Sequence, residues 1–162
     1  MKVLVIGGAG YVGSVLTREL LERGYGVRVF DRLYYGDIGL KDIKDRIELV
    51  VGDMRAMPKA VFENVSKCIN IGGLSNDPTA EYNPQANHEM NTVAAEKAAE
   101  FCKETGVSKY VYGSSCSIYD VGISNEERDL IVDETHAVNP KAAYAASKYN
   151  AENALLKMAD KN

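Results

Sequence analysis

The feature that most constrains this chain is its opening, where an apolar run leads into four closely spaced glycines. Val3 to Ile6 is rich in β-branched side chains, which predicts a strand buried on both faces. Glycines follow at positions 7, 8, 10 and 13, and a helical pattern comes next. A strand, a glycine turn and a helix in this order bring free backbone N–H groups and the positive end of a helix dipole to one point, which favours phosphate. The helix face expected to be buried carries Val12, Val15, Leu16 and Leu20.

These glycines fit two dinucleotide-binding spacings, and the sequence leaves both open. One is G-x-G-x-x-G from Gly8 through Gly10 to Gly13, and the other is G-x-x-G-x-x-G from Gly7. The first glycine permits a tight turn, the next lets the backbone approach a pyrophosphate, and Gly13 lets the helix lie close to the strand. The alternative is a glycine-rich turn that binds nothing.

A carboxylate at the end of the second apolar run indicates which dinucleotide would bind. The run from Gly26 to Asp31 predicts a strand. A carboxylate at its end can accept hydrogen bonds from both hydroxyls of an adenosine ribose and would repel a 2′-phosphate. This favours NAD over NADP, although the adjacent Arg32 could soften the preference.

Apolar runs that alternate with helical patterns predict an α/β fold, with a doubly wound parallel sheet of the Rossmann type. The later strands are expected at Arg46–Val51, Lys67–Ile71 and Lys109–Gly113. The later helices are expected over 56–65, weakly, from about Pro84 to Thr105, and from Pro140 to Met158. Ligands bind such sheets at the carboxyl ends of the strands. The residues expected there are Gly7–Gly13, Asp31, Asp53, Gly72–Gly73 and Ser114–Ser115.

Composition and charge exclude several other functions. A length of 162 residues predicts one domain, and the net charge of −4 comes without a basic cluster, so we expect no nucleic-acid partner. No apolar run approaches the roughly 18 residues of a membrane span, and the chain opens directly on a strand without a signal peptide. Three cysteines and two histidines lack metal-ligand spacing, so we expect reduced thiols, no metal site and a cytoplasmic location.

A tyrosine and a lysine in the last predicted helix suggest acid–base chemistry. Tyr144 and Lys148 stand four residues apart and therefore share a helix face. A free phenol has a pKa near 10, and a nearby ammonium favours its ionised form. Such a tyrosine can exchange a proton with a hydroxyl near neutral pH. The pattern is short, so a chance pair on a surface helix is the alternative.

Five motifs in order carry a family resemblance from Lys2 to about Met158. They are Gly7–Gly13, Asp31–Leu33 with Gly36, Gly52–Asp53, Ser114–Tyr119 and Tyr144–Lys148. This series resembles the extended short-chain dehydrogenase/reductases, and most of all the NAD-dependent nucleotide-sugar epimerases and dehydratases of the UDP-galactose 4-epimerase type. The resemblance implies NAD as cofactor and a nucleotide-sugar as substrate.

The resemblance also implies a role for individual residues. At the cofactor these are Gly7, Gly10, Tyr11 and Val12 for the pyrophosphate, Asp31 and Arg32 for the adenosine ribose, Asp53 and Met54 for the adenine, and Gly72, Gly73 and Leu74 under its middle. Asn91 would support the loop beside the cofactor. In catalysis, Ser115 would hydrogen-bond the sugar hydroxyl and Tyr144 would be the base for hydride transfer. Lys148 would bind the nicotinamide ribose and tune Tyr144.

The length of the chain departs from this family, whose members continue with a sixth strand and a smaller substrate lobe. We therefore expect residues 1–162 to be an NAD-binding Rossmann domain that largely lacks that lobe, as a fragment or a natural short form. Two other readings stay open: a non-catalytic dinucleotide-binding sensor module, and an assembly fragment that forms a homodimer. The apolar residues that could drive dimerisation are Val121, Ile123 and Leu130. The sugar and the choice among epimerisation, dehydration and oxidation also stay open.

Overall fold

In the residues that the computed structural model describes, 1–119 and 131–160, five strands form one parallel sheet. The strands are β1 Lys2–Ile6, β2 Gly26–Asp31, β3 Ile47–Val51, β4 Lys67–Asn70 and β5 Lys109–Tyr112. Their order is β3-β2-β1-β4-β5, and each neighbouring pair is parallel. The predicted doubly wound Rossmann sheet is confirmed. The strand order reverses between β1 and β4, and a ligand crevice is expected at that point.

Helices cover both faces of the sheet. They are α1 Tyr11–Glu22, α2 Asp77–Tyr82, α3 Pro84–His88, α4 Ala94–Thr105 and α5 Ala143–Met158. A π-helical turn, Glu89–Val93, joins α3 to α4, so the predicted helix from Pro84 to Thr105 exists with one wide turn inside it. Short 3-10 segments lie at Ile38–Arg46, Met54–Ala56, Lys59–Phe62 and Cys116–Tyr119.

Two predicted helices differ from the structure. The weak helix expected over 56–65 is wrong, because Met57 and Pro58 are extended and separate two 3-10 turns. The last helix begins at Ala143 rather than at Pro140, because Ala142 is still extended at its N-cap. The second difference lies at a helix end, where local pattern specifies structure least.

The sheet separates two hydrophobic cores, and β1 contributes to both. Leu4 and Ile6 face the core beneath α4, whereas Val3 and Val5 face the core beneath α1. Each of these four side chains is almost fully buried. Alternate side chains of a strand point to opposite faces, so this short run anchors both layers, as predicted from its β-branched composition.

The inner face of α1 matches the predicted one only in part. Leu16 and Leu20 pack against the core that contains Val3 and Val5. Val12 and Val15 are 63% and 65% exposed, and the fully buried positions of the helix are Gly13 and Thr17. The reason is the close approach of the helix to the glycine turn, where a methyl group on Gly13 would lie 2.1 Å from the Gly7 carbonyl oxygen.

Within the described part of the chain, no helix is both long and apolar enough to cross a bilayer. The same residues contain no group of three or more acidic, histidine or cysteine side chains that could hold a metal ion. Val121, Ile123 and Leu130, which were expected to drive dimerisation, lie outside the described residues, so that expectation remains a prediction.

Candidate functional site

A cleft of about 400 Å³ lies across the carboxyl ends of β1, β2 and β4. It brings together nine of the residues expected at a cofactor, namely Gly7, Gly10, Tyr11, Val12, Asp31, Arg32, Met54, Gly72 and Gly73. Seven further wall residues were not predicted from the sequence, and they are Ile6, Phe30, Tyr34, Tyr35, Ile71, Ser75 and Met90. Six of the seven lie at or just after a strand end, which is the signal that could have found them. Met90 lies in the π-helical turn and has no such signal.

The glycine turn follows β1 and forms the floor of the cleft. Gly7 has a φ of +83°, a conformation that L side chains rarely adopt. Gly8 turns away from the cleft, and a methyl group there would lie 2.8 Å from a side-chain carbon of Val29. Gly7, Gly10 and Gly13 are the glycines of the turn that line the cleft, so the geometry matches the G-x-x-G-x-x-G spacing.

Helix α1 presents its N-terminus to the cleft. Its N-cap is Gly10, and no side chain among the described residues caps the first turn. Backbone N–H groups in the first turn of a helix have no partner within the helix. Tyr11, Val12 and Gly13 line the cleft at this end. The arrangement offers several hydrogen-bond donors and the positive end of the helix dipole to an anion.

The carboxylate of Asp31 is held at the cleft wall by the backbone. One oxygen accepts the N–H of Ala9 at 2.9 Å, and the other accepts the N–H of Leu33 at 2.8 Å. Leu33 itself has a φ of +58°, a left-handed conformation that is uncommon outside glycine. Two bonds from the glycine turn and the following loop fix Asp31 while it keeps lone pairs free for further donors.

Asp53, just beyond β3, forms an ion-pair group with two arginines. Its carboxylate accepts hydrogen bonds from Arg32 and from Arg55, and Arg55 also contributes its backbone N–H. The Arg55 guanidinium, helped by Arg32, lowers the pKa of Asp53 to about 2. Arg32 lines the cleft, so Asp53 is connected to the cleft through this partner.

Asn91 ties the loop after β4 to the last helix. Its amide bonds both the N–H and the carbonyl of Leu74 at 2.9 Å, and it also donates to Asn87 and to the hydroxyl of Ser147. The residue is 1% exposed. It lies in the π-helical turn, where Met90 and Thr92 are buried with it. Leu74 is therefore placed by Asn91 next to the cleft-lining Gly72 and Gly73.

Lys148 is buried where α5 meets the end of β5. Its ammonium donates to the carbonyl of Gly113 at 2.7 Å and lies 4.6 Å from the centre of the Tyr112 ring. It is 5% exposed, and burial lowers its pKa to about 8, although Glu152 opposes the shift. The Gly113 carbonyl and the face of the Tyr112 ring offset part of the cost of burying this positive charge, a role that a carboxylate more often fills.

Tyr144 stands one turn before Lys148 and is half-buried. It lies close enough to Tyr112 to add to the raised pKa of that phenol, which burial mainly causes. Ser115 follows β5, and its hydroxyl accepts the N–H of Ser117 at 3.2 Å. Among the described residues, Ser115, Tyr144 and Lys148 are not part of the wall of the 400 Å³ cleft; they lie beyond the β4 end of it.

Comparison with known protein families gives one match over nearly the whole chain. Residues 3–162 match the model of the NAD dependent epimerase/dehydratase family. The UDP-glucose 4-epimerase of Rhizobium leguminosarum bv. trifolii is 30% identical over 161 residues, which are 94% of this chain and 46% of that protein. The mouse sterol-4-alpha-carboxylate 3-dehydrogenase (decarboxylating) is 29% identical over 157 residues, which are 96% of this chain and 40% of that protein.

Solved structures share the fold over the same length. The UDP-glucose 4-epimerase of Thermus thermophilus, solved in complex with NAD, superimposes with a TM-score of 0.82 at 29% identity. The match covers 97% of this chain and 50% of that one. The chain thus spans about half the length of the proteins that it matches.

Proposed function

Because the chain belongs to the NAD-dependent epimerase/dehydratase family, we propose that its cleft binds NAD for hydride exchange with a nucleotide-sugar carbon. The observation that carries the proposal is the convergence of three features on one cleft. These are the glycine turn, the uncapped N-terminus of α1 and the backbone-held carboxylate of Asp31. The glycine turn and the helix N-terminus suit the pyrophosphate of a dinucleotide, and the carboxylate of Asp31 suits its adenosine ribose.

In this proposal, each part of the cofactor meets a different strand end. The turn from Gly7 to Gly13 would hold the pyrophosphate, because the N–H groups in the first turn of α1 have no partner within the helix. Asp31 would accept the hydroxyls of the adenosine ribose. Asp53 and Met54 would flank the adenine, and Gly72 to Leu74 would pass under the middle of the cofactor. The exposed rings of Tyr11 and Tyr35 stand at the mouth of the same cleft.

The chemistry proposed for the chain's own residues is proton movement at a sugar hydroxyl. NAD supplies the acceptor and donor of the hydride. Tyr144 takes the hydroxyl proton while Ser115 holds the hydroxyl in place by a hydrogen bond. Lys148 favours the ionised form of Tyr144 through its positive charge and reaches the nicotinamide ribose. The lowered pKa of Lys148 supports this role, because perturbed ionisable groups concentrate at functional sites.

Replacement of Tyr144 by Phe tests the proposal. The variant keeps the ring and loses the hydroxyl, so NAD binding should stay within about twofold while turnover of a UDP-sugar falls at least a hundredfold. Binding is measured by titration with NAD, and turnover by chromatography of the sugar nucleotide. The exposed Tyr82, replaced by Phe, is a matched control that should leave both unchanged. Retention of turnover by Tyr144→Phe would contradict the role of Tyr144.

Two other functions give different results in the same assays. A non-catalytic dinucleotide sensor would bind NAD and turn over no sugar with Tyr144 intact. The sterol dehydrogenase relative suggests a hydroxysterol as the alternative alcohol, since it is almost as similar to this chain as the sugar epimerase is. Reduction of NAD by a 3-hydroxysterol, with no change in a UDP-sugar, would favour that substrate class.

A further inference from the structure

The guanidinium of Arg32 lies beside the expected ribose site, but it is bound to Asp53 and not turned towards the ribose. Arg32 follows Asp31 directly and lines the same cleft. Its Nη1 atom donates to Asp53 at 2.5 Å, and its Cζ atom lies 4.5 Å from the centre of the Tyr34 ring. An unengaged arginine at this position would attract a 2′-phosphate, because the planar guanidinium bonds phosphate oxygens in pairs. The ion pair and the ring contact hold the group on the side of Asp53.

The Asp53 carboxylate, which binds Arg32, is itself held in place by Arg55. Arg55 donates to both oxygens of Asp53 through its side chain, and its backbone N–H bonds Oδ1 at 3.0 Å. Glu89 stands 3.5 Å from the other side of the Arg55 guanidinium. Two arginines and two carboxylates therefore balance one another, and Asp53 is only 23% exposed at its side chain. This carboxylate cannot rotate away from Arg32 without breaking several bonds to Arg55.

Asp31 faces the ribose site with a different set of partners. Its two oxygens accept the backbone N–H groups of Ala9 and Leu33, neither of which carries a charge. The adjacent positive charge of Arg32 is neutralised by Asp53. The negative charge of Asp31 therefore acts on whatever occupies the ribose position, where it accepts hydroxyls and repels a phosphate.

We infer that Asp53 is a specificity-determining residue, which keeps the cleft selective for NAD over NADP by holding Arg32 away from the ribose 2′-position. The inference rests on the proposed function, since it assumes that the cleft binds a nicotinamide dinucleotide. Asp53 acts through Arg32 and thereby adds to the direct repulsion by Asp31. Loss of the Asp53 charge releases a guanidinium that can reach a 2′-phosphate.

The test compares the dissociation constants of NADH and NADPH, measured by fluorescence titration at low salt. Asp53→Asn keeps the oxygen that bonds the Arg55 N–H, so the local turn is preserved. We expect the NADPH-to-NADH ratio of dissociation constants to fall about tenfold in this variant. Glu89→Gln removes the same charge from the other side of Arg55 and should leave the ratio within about twofold of the wild type.

A double variant identifies the responsible arginine. In Asp53→Asn with Arg32→Gln, the ratio should return to the wild-type value, because no guanidinium remains next to Asp31. In Arg32→Gln alone the ratio should stay within about twofold, whatever happens to each affinity, because Arg32 is already neutralised. A larger change of the ratio in Arg32→Gln alone would overturn the inference, because Arg32 would then already act at the ribose site of the wild type.

The possible failures are distinct. A folded wild type that binds neither nucleotide overturns the proposed function together with this inference. If the wild type binds NADH, and Asp53→Asn and Glu89→Gln have the same NADPH-to-NADH ratio of dissociation constants, the inference is overturned while the proposed function stands. A shift that persists after removal of Arg32 also overturns it, because Arg55 or the loss of charge in general would then be the cause.

Discussion

Burial of the Lys148 ammonium should cost the fold stability at neutral pH, and the cost should disappear in alkali. The pKa of this group falls from 10.5 to about 8 on folding, because burial disfavours its charged form. A shift of this size corresponds to about 3 kcal/mol against the charged form. Below pH 8 the folded and unfolded states both hold the proton, so the whole cost is present. Between pH 8 and 10.5 the unfolded state holds more protons, so stability rises with pH.

Urea unfolding of the wild type and of Lys148→Met measures this effect. Methionine has a similar length and no charge, so the difference between the two proteins isolates the ammonium. The free energy of unfolding of the wild type, relative to Lys148→Met, should rise by about 1.5 kcal/mol between about pH 8 and pH 9.5. Lys157→Met, on an exposed position of the same helix, should follow the wild type throughout.

Parallel curves for the wild type and Lys148→Met over this range would refute the reasoning. They would mean that the ammonium is as well solvated in the folded state as in the unfolded one. The contacts with the Gly113 carbonyl and the Tyr112 ring would then not describe its environment. A difference that grows in the opposite direction would require an anionic partner at Lys148.

Two further substitutions test buried polar contacts. Asn91→Ala should lower the free energy of unfolding by about 2 to 4 kcal/mol and weaken NAD binding, because both backbone groups of Leu74 lose their partner; an unchanged urea midpoint would contradict this. Thr17→Val should raise the free energy of unfolding by about 1 kcal/mol, because the buried Thr17 hydroxyl has no hydrogen-bond partner among the described residues. Thr17→Ser keeps that hydroxyl and should destabilise, and equal melting temperatures for the two Thr17 variants would count against the assignment.

The strands and the cleft floor could be predicted because their signals are local. The run from Val3 to Ile6 specifies a strand buried on both faces, and the spacing of the glycines after it is that of a dinucleotide-binding turn. Asp31 could be placed because it ends an apolar run, and the ends of parallel strands meet at one edge of the sheet. Family resemblance added roles for residues such as Ser115, which no local pattern marks.

The parts that could not be predicted depend on contacts between distant segments. The predicted α1 face was wrong at Val12 and Val15, because the first turns of the helix pack closely on the glycine turn at Gly13. Asn91 is buried within a π-helical turn, for which the sequence shows no signal. Arg32 and Asp53 are 21 residues apart in the sequence and follow two different strands, so their pairing appears only in the folded protein.

The central claim is that the turn after β1 binds the diphosphate of a nicotinamide dinucleotide, and calorimetric titration with NAD tests it most directly. The matched variant is Gly10→Ala, whose methyl group would lie 3.3 Å from the Gly7 carbonyl oxygen and whose backbone is extended at φ −71°, so it should fold. The wild type should bind one NAD with a dissociation constant below about 1 mM, and Gly10→Ala should bind at least about tenfold more weakly. A folded wild type that ignores both NAD and NADP at this concentration, or a Gly10→Ala variant that binds as tightly as the wild type, would contradict the account.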